Sequence, residues 1–360
     1  MIQGFRLPKG LDYIKLPCLN RGIAGDISAK YLGTSTEETV ALRSQLIYSA
    51  ACHFKPDLLL VDKKPAGLKG ELTQTLEYLQ QYSPSTKRVL LLRDILDTPE
   101  KTIADWQKLG CYEDIQIHYE QVLVVGMQVI FDLVQEYRLP LSISPKLRYC
   151  GYLRKQPGKR NREDFRQQLG IKETDRLVLV TPGGGEDGYD LVKTYLQGLK
   201  QATPDETLHS LILSGPEMPG EQQLQIQQLA ATCSRVTLNS FTDDVLSHLA
   251  AADAVVSMGG YNTLTEILTL GKRAIVVPRI KPSQEQLIRA TRFAERGLVE
   301  MIHPESVTPR SLMQAVEAQL NVRSPLPTGL DFHGLPRIAN HLAALLSPAQ
   351  EPLFPVYQLA

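Results

Sequence analysis

Apolar residues follow two alternating spacings along this chain. Short continuous apolar runs are typical of strands buried on both faces, and they alternate with stretches of the amphipathic spacing typical of helices. The runs predict strands at 58–62, 89–95, 120–126, 177–181, 210–215, 236–241, 254–257 and 274–278, and two weaker segments predict strands at 11–18 and 147–153. This alternation predicts an α/β fold with parallel sheets covered by helices on both faces.

Amphipathic spacing predicts the helices between these strands. They are expected at 35–54, 68–82, 99–109, 191–201, 220–233, 243–251 and 335–346, with two more opening near Asn262 and Gln284. His53 and His118 fall in apolar surroundings and are therefore expected to be core residues.

A polar, basic run at 154–164 interrupts the pattern and contains Pro157-Gly158. Such a run is typical of a solvated connection between domains, and the alternative is a basic patch that contacts a membrane surface. We therefore predict two doubly wound, Rossmann-like domains facing a cleft, at 1–151 and 152–334. A helix and tail at 335–360 follow the second domain.

Composition narrows the function classes. The chain has 39 basic and 39 acidic residues, and this balance argues against nucleic acid or an anionic membrane bound by bulk charge. Five scattered cysteines without CxxC spacing predict reduced thiols in a cytoplasmic protein and predict no metal site. The sequence shows neither a leader's apolar segment nor a run long enough to span a membrane.

Three segments of the second half carry candidate chemistry. The first is a glycine loop at 180–190, where Gly183, Gly184 and Gly185 with Gly188 lie between a strand and a helix. Main-chain amides of such a loop can approach a diphosphate closely, although a glycine turn between a strand and a helix is also common without a ligand.

The second segment, Gly259-Gly260-Tyr261-Asn262-Thr263-Leu264-Thr265-Glu266, follows the strand at 254–257. Thr263 could donate to a phosphate, and Glu266 one turn later could accept from ribose hydroxyls. The alternative is plain helix capping by Asn262 or Thr263, with Thr263 and Glu266 as a capping box.

The third segment is the polar loop at 278–290, in which Gln284, Glu285 and Gln286 enter a helix. Amides and a carboxylate there could bind sugar hydroxyls, or the residues could simply form a solvated helix start.

Together these segments resemble the C-terminal, nucleotide-sugar-binding domain of GT-B glycosyltransferases of the MurG family, over residues 177–299. The namesake adds N-acetylglucosamine to a lipid-linked acceptor. By resemblance, the diphosphate, base, ribose and sugar contacts of that family carry over to Gly183, Gly184, Gly185, Gly188, Phe241, Thr242, Gly259, Gly260, Asn262, Thr263, Glu266, Glu285 and Gln286. Their joint occurrence favours the donor site over capping, while Arg289 stands where the family has Asn.

The resemblance implies a glycosyltransferase whose donor is a nucleoside-diphosphate sugar, with uridine favoured. The expected reaction is an inverting, metal-independent displacement without a cofactor. The resemblance to GT-B proteins also implies that the helix and tail at 335–360 return to the first domain. The acceptor is left open between a small molecule, a lipid-linked acceptor and a glycan. Asp62 and Asp94 end predicted strands and are the candidate bases, or else they form turns there. A nucleotide-sugar hydrolase, a 2-epimerase and a non-catalytic binding protein are the alternatives.

Over its whole length the chain is similar to a group of predicted bacterial glycosyltransferases, through segments such as KPDLLLVDKKPAG and SMGGYNTLTE. Members of that group begin with a strand, a G-H-x-x-R turn and a helix that this sequence lacks. We therefore expect either that Met1 is an internal start of a longer protein or that this form has lost activity.

Overall fold

A computed structural model describes residues 9–21, 27–203, 205–322, 324 and 329–347. Within that part of the chain, contacts define two compact units. The first comprises residues 1–92, 107–122 and 345–360, and the second comprises residues 93–106 and 123–344, as far as each is described.

Twelve strands and thirteen helices are assigned within these residues. The strands are β1 (Leu19–Arg21), β2 (Ile27–Ala29), β3 (Leu58–Asp62), β4 (Lys87–Arg93), β5 (Gln121–Val125), β6 (Leu147–Tyr149), β7 (Arg176–Thr181), β8 (Leu208–Leu213), β9 (Val236–Asn239), β10 (Ala254–Ser257), β11 (Arg273–Val276) and β12 (Glu300–Met301). The helices are α1 (Thr36–Phe54), α2 (Thr73–Tyr82), α3 (Pro99–Leu109), α4 (Cys111–His118), α5 (Leu133–Glu136), α6 (Arg162–Gln168), α7 (Tyr189–Gln201), α8 (Gly220–Ala231), α9 (Val245–Ala251), α10 (Tyr261–Thr269), α11 (Glu285–Ala294), α12 (Pro309–Asn321) and α13 (Gly334–Leu346).

The second unit contains a six-stranded parallel sheet in the order β12-β11-β10-β7-β8-β9. From β7 the chain proceeds outward through β8 and β9, and then crosses back to β10 and proceeds outward the other way. The direction therefore reverses between β7 and β10, where Thr181 is in register with Ser257. In open α/β sheets, ligands bind outside the carboxyl ends of the strands at such a reversal.

The inner strands of this sheet are packed in an apolar core. Val178, Val180, Val256 and Ile275 have no exposed surface, and helices α7, α8 and α12 contribute the apolar side chains packed with them. Water does not reach the backbone polar groups of strands that are buried on both faces. Parallel pairing along the full length of the strands provides the hydrogen bonds that these groups require.

A second sheet has the order β3-β4-β5-β6, with β3 and β4 parallel. Strand β3 ends this order, and Leu60 on it is 42% exposed. Helix α1 precedes β3 and begins with a capping box in which Ser35 and Glu38 bond reciprocally.

Several sequence expectations are confirmed and several are wrong. Leu58–Asp62, Pro99–Leu109 and Ala254–Ser257 have the predicted bounds. Residues 11–18 form no strand. Leu11, Tyr13 and Ile14 are exposed, and the Cys18 carbonyl accepts from the Lys30 amide at 3.0 Å just before β1 begins to pair with β2. Helices α4, α5, α6 and α12 were not predicted.

The two histidines expected in the core differ. His118 is buried, and burial lowers the pKa of its imidazole. His53 is exposed, which is contrary to expectation, because it lies in the last turn of α1 and bonds the Ser49 carbonyl through Nδ1 at 2.8 Å.

Helices long and apolar enough to cross a bilayer are not found in the described part of the chain.

Candidate functional site

The glycine loop lies at the carboxyl end of β7 and opens α7. Gly183 and Gly185 have φ angles of 92° and 96°, in the left-handed region that favours glycine. The Gly188 amide donates to the Gly185 carbonyl at 3.1 Å, and Gly188 precedes α7 without a side-chain cap. The first amides of α7 are therefore not capped by a side chain, as an anion site requires.

Gly185 and Gly215 allow this loop to pack closely against the connection after β8. A Cβ on Gly185 would lie 2.4 Å from the Ser214 carbonyl oxygen, and a Cβ on Gly215 would lie 2.3 Å from the Gly184 carbonyl oxygen. The Glu217 amide also donates to the Gly184 carbonyl at 2.9 Å. These contacts are only compatible with glycine at both positions.

A second glycine turn joins β10 to α10. Gly259 has a φ angle of 84°, and a Cβ there would lie 2.9 Å from Val276 Cγ1. Gly260 is the N-cap residue of α10 and makes no side-chain cap bond. The capping alternative for Asn262 and Thr263 is therefore wrong, because the helix begins at Tyr261 and both residues already lie inside it.

The structure brings the two glycine turns together. They follow β7 and β10, the neighbouring strands between which the sheet order reverses. A Cβ on Gly183 would lie 3.7 Å from Thr263 Oγ1. Two helix N-termini thus flank one space, and their dipoles and amides favour an anion there.

Glu266 lies one turn into α10 and is only 6% exposed. Its Oε1 is contacted by Nζ of Lys155, whose side chain is half exposed. A carboxylate can accept several hydrogen bonds, so Oε2 can accept from another donor. The sequence did not indicate Lys155 as a neighbour of this site.

The basic run at 154–164 is largely exposed, as expected, but two of its basic side chains also pair with carboxylates of the second unit. Lys159 pairs with Asp243, and this pair lowers the pKa of the Asp243 carboxyl. Arg162 opens α6, pairs with Asp253 and donates to carbonyls at the end of α9. Basic side chains here meet carboxylates and the negative end of a helix, so the run packs onto the second unit.

Phe241 and Thr242 follow β9. The Phe241 side chain is 60% exposed, unlike most aromatic rings of the second unit. Thr242 Oγ1 accepts from the Asp244 amide at 3.1 Å, and Asp244 in turn caps α9. The ring is thus exposed beside a fixed turn, as a stacking surface for a base requires.

The loop after β11 and helix α11 place Glu285 and Gln286. Gln286 Oε1 accepts from the Arg279 amide at 3.1 Å, and its Nε2 lies 4.0 Å from the position of a Cβ on Gly260. Glu285 lies 3.5 Å from Arg279 and 3.9 Å from Arg289. Both residues therefore lie beside the second glycine turn.

Arg289, the residue that differs from the family, has no exposed surface. Its guanidinium lies 3.6 Å from Asp94 Oδ1 and 3.5 Å from the Gly259 carbonyl. It also lies over the Tyr261 ring, 5.4 Å from the centroid. Because Arg289 is enclosed, it contacts the Gly259 turn from the protein interior.

Asp94 is buried as completely as Arg289. Its Oδ2 accepts from the Tyr152 hydroxyl at 2.9 Å, and its Oδ1 accepts from the Ile95 amide at 2.8 Å. Burial, followed by the charge of Asp94, raises the pKa of Tyr152, which stays protonated and donates. A carboxylate enclosed in this way holds Arg289 and does not meet solvent in this conformation.

Asp62, the other candidate base, lies at the carboxyl end of β3 in the first unit and is exposed. All the other predicted site residues belong to the second unit.

The first comparison with known proteins concerns sequence. Residues 177–326 match the model of the glycosyltransferase family 28 C-terminal domain. An uncharacterized glycosyltransferase from Methanopyrus kandleri is 26% identical over 185 residues, which are 51% of this chain and 50% of that protein. The chain spans about half the length of the curated relatives it matches.

The second comparison concerns structure. MurG from Acinetobacter baumannii superposes with a TM-score of 0.52 at 16% identity, covering 79% of this chain and 71% of that one. A UDP-GlcNAc 2-epimerase from Neisseria meningitidis, solved with UDP-GlcNAc bound, gives 0.57 at 15% identity, covering 88% and 83%. At these identities the likeness concerns the fold. The GT-B fold and the resemblance to the MurG family are thus confirmed.

Proposed function

We propose that this chain, whose residues 177–326 carry a glycosyltransferase family 28 C-terminal domain within a GT-B fold, transfers a sugar from a nucleoside-diphosphate donor to a hydroxyl acceptor. The preferred donor is a UDP-sugar, as in the name of the epimerase of like fold. The acceptor class stays open between a small molecule, a lipid-linked acceptor and a glycan.

The observation that carries the proposal is the pairing of the two glycine turns at the point where the sheet order reverses. Gly183 and Thr263 lie against each other, with Glu266 one turn further along α10. The helix N-termini supply amides for a diphosphate, and the carboxylate of Glu266 supplies acceptors for ribose hydroxyls. The exposed Phe241 ring supplies a face for the base.

The proposed reaction is a single inverting displacement. The acceptor hydroxyl loses its proton to a general base while its oxygen bonds to the anomeric carbon, and the bond from that carbon to the phosphate oxygen breaks. The electron pair of that bond leaves with the nucleoside diphosphate. Amides at Gly183–Gly188 and Gly259–Thr263 stabilise the added charge, so the proposed mechanism does not depend on a metal ion.

Asp62 and Asp94 remain the two candidates for the base. Their environments favour Asp62, because its carboxylate is exposed whereas that of Asp94 is enclosed by Tyr152 and Arg289. A base must reach the acceptor proton directly or through one water.

An epimerase or hydrolase is the second candidate, favoured by the fold likeness to the Neisseria meningitidis enzyme. Incubation with UDP-GlcNAc alone separates these functions. Epimerised sugar or acceptor-independent release of UDP supports the second candidate, whereas release only with an added acceptor supports transfer. Binding without turnover indicates a binding protein.

Calorimetric titration with UDP tests the donor site. We expect Glu266→Ala to weaken UDP binding about tenfold or more, the usual effect of losing charge-assisted hydrogen bonds. Glu305→Gln, which alters an exposed carboxylate on another loop, is the control and should bind as the wild type does. Equal affinity of Glu266→Ala and wild type would contradict the ribose assignment, and a wild type that binds no nucleoside diphosphate would exclude the donor site.

A further inference from the structure

Arg279 follows β11 and is fixed beside the second glycine turn. Its amide donates to Gln286 Oε1, and the same Gln286 side chain approaches Gly260. The sequence placed this arginine in a polar loop and gave it no role. Its position at the carboxyl end of a buried strand is the signal that could have indicated one.

The guanidinium of Arg279 reaches from this turn to the first one. Nη1 donates to Asp187 Oδ2 at 3.1 Å, and Nη2 lies 3.5 Å from Glu285 Oε1. Asp187 belongs to the loop between Gly185 and Gly188. One arginine side chain therefore joins the two segments that form the proposed diphosphate site.

This arginine has hydrogen-bonding capacity left. Its Nε is buried, and no acceptor for it lies among the residues that the structure describes. The side chain is 26% exposed and that of Asp187 is 39% exposed, so solvent reaches the pair. A guanidinium presents five donors in a planar fork that fits phosphate oxygens.

Arg279 belongs to a charge chain, a row of five side chains whose charges alternate in sign. Asp187, Arg279, Glu285, Arg289 and Asp94 succeed one another at separations of 3.1, 3.5, 3.9 and 3.6 Å. Arg289 is enclosed at the inner end, whereas Arg279 is at the accessible outer end. Of these two cations, only Arg279 can therefore meet a ligand without rearrangement of the core.

The geometry points to Arg279 as a further donor-site residue, which exchanges the carboxylate of Asp187 for a phosphate oxygen when a nucleoside diphosphate binds. This inference rests on the proposed function and deepens it. Asp187 would then compete with the ligand, because its negative charge occupies the guanidinium in the free protein and repels a diphosphate.

The two partners of the bridge should therefore have opposite effects on binding. We expect Arg279→Gln to weaken UDP binding about tenfold, because a charge-assisted bond to the phosphates is lost. Asp187→Asn should tighten UDP binding about threefold, and this gain should vanish in the Arg279→Gln background. Binding of uridine, which has no phosphate, should change less than about twofold in all three variants.

Arg292 and Glu136 provide the matched control. They form a half-exposed arginine–carboxylate pair of the same kind in the same unit, 2.7 Å apart. Arg292→Gln and Glu136→Gln should each leave UDP affinity unchanged. Melting temperatures of all the variants, measured without ligand, report any loss of folding.

Weaker UDP binding by both Arg279→Gln and Asp187→Asn would identify a purely structural bridge and overturn the inference. Unchanged binding by Arg279→Gln would overturn it as well. If Glu266→Ala still weakens UDP binding in that case, the donor site stands and only the role of Arg279 is lost. A wild type that binds none of UDP, TDP, GDP and ADP would overturn both.

Discussion

The inner strands of the six-stranded sheet and the end strand β3 of the four-stranded sheet differ in how completely they are covered. Strand β10 is buried along its whole length, and β7 and β11 are buried in all but their first residue. Strand β3, at the end of the four-stranded sheet, is buried only at Val61. Both glycine turns follow the buried strands of the six-stranded sheet.

This difference indicates where the geometry is fixed. A loop that follows a buried central strand is held by the sheet and by the helix packed on it, so main-chain amides can be placed to a fraction of an ångström. A carboxylate that ends a partly exposed strand, such as Asp62, has fewer contacts to orient it. We therefore expect mutations on or beside buried inner strands to have larger effects than mutations on the partly exposed β3.

The largest contrast should lie between Asp94, which follows the inner strand β4, and Asp62, which ends β3. Asp94→Asn leaves the enclosed Arg289 without its nearest carboxylate, and breaking such a buried pair costs about 3 kcal/mol or more. Asp62→Asn changes an exposed group and should alter the free energy of unfolding by under about 0.5 kcal/mol. Urea unfolding followed by fluorescence of Trp106, the single tryptophan, measures both.

Activity measurements distinguish the same two aspartates, Asp62 and Asp94. If Asp62 is the base, Asp62→Asn abolishes transfer and leaves UDP binding intact. An active Asp62→Asn protein would exclude that role, and an equally stable Asp94→Asn protein would contradict the structural role of Asp94.

Core truncations should give the next largest contrast. Ile275→Ala on β11 removes a side chain with no exposed surface and should cost about 3 kcal/mol, from lost burial and a residual cavity. Leu60→Ala on β3 removes a partly exposed side chain and should cost under about 1 kcal/mol. Equal costs in urea unfolding would mean that β3 is covered in solution.

The smallest effect should be the pH dependence of His248. Burial lowers the pKa of this imidazole, whose Nδ1 lies 2.9 Å from the Asp244 carbonyl and whose ring contacts that of Phe165 at a tilt of 54°. The unfolded chain then binds more protons, so stability present above the unfolded pKa of about 6.5 is lost as the pH falls below it.

Thermal unfolding between pH 7 and pH 5 tests this sign. His248→Gln should lose less stability over that range than the wild type, whereas His53→Gln, at an exposed position, should follow the wild type. A steeper loss of stability for His248→Gln than for the wild type would contradict the lowered pKa of His248.

The sequence predicts the buried strands well and the surface segments poorly. A short continuous apolar run is typical of a buried strand, and the strand at 254–257 has the bounds that the sequence predicts. The run at 154–164 is exposed as its charge predicts, but its ion pairs were not foreseen, because the carboxylate partners of Lys159 and Arg162 lie 84 and 91 residues away in sequence. Local composition cannot indicate such partners.

The candidate site shows the same limit. The glycines and Glu266 were found through spacing and resemblance, because the motifs are local. The charge chain from Asp187 to Asp94 was not, because its five members come from four separate segments that only the fold brings together. The position of Arg279 beside the glycine turns could not be foreseen for this reason. Asp94 was predicted as a candidate base or a turn residue, because its enclosure by Tyr152 and Arg289 was not visible in the sequence.

The interlocked pair Gly185 and Gly215 constrains how this protein can diverge. Each fills the space where the other's side chain would stand, so a change at one cannot be relieved by a change at the other. Neither position can therefore change while the loop keeps this backbone. Among descendants that keep the loop, both should remain glycine while the residues around them vary, and a lineage that loses one should lose the diphosphate site with it.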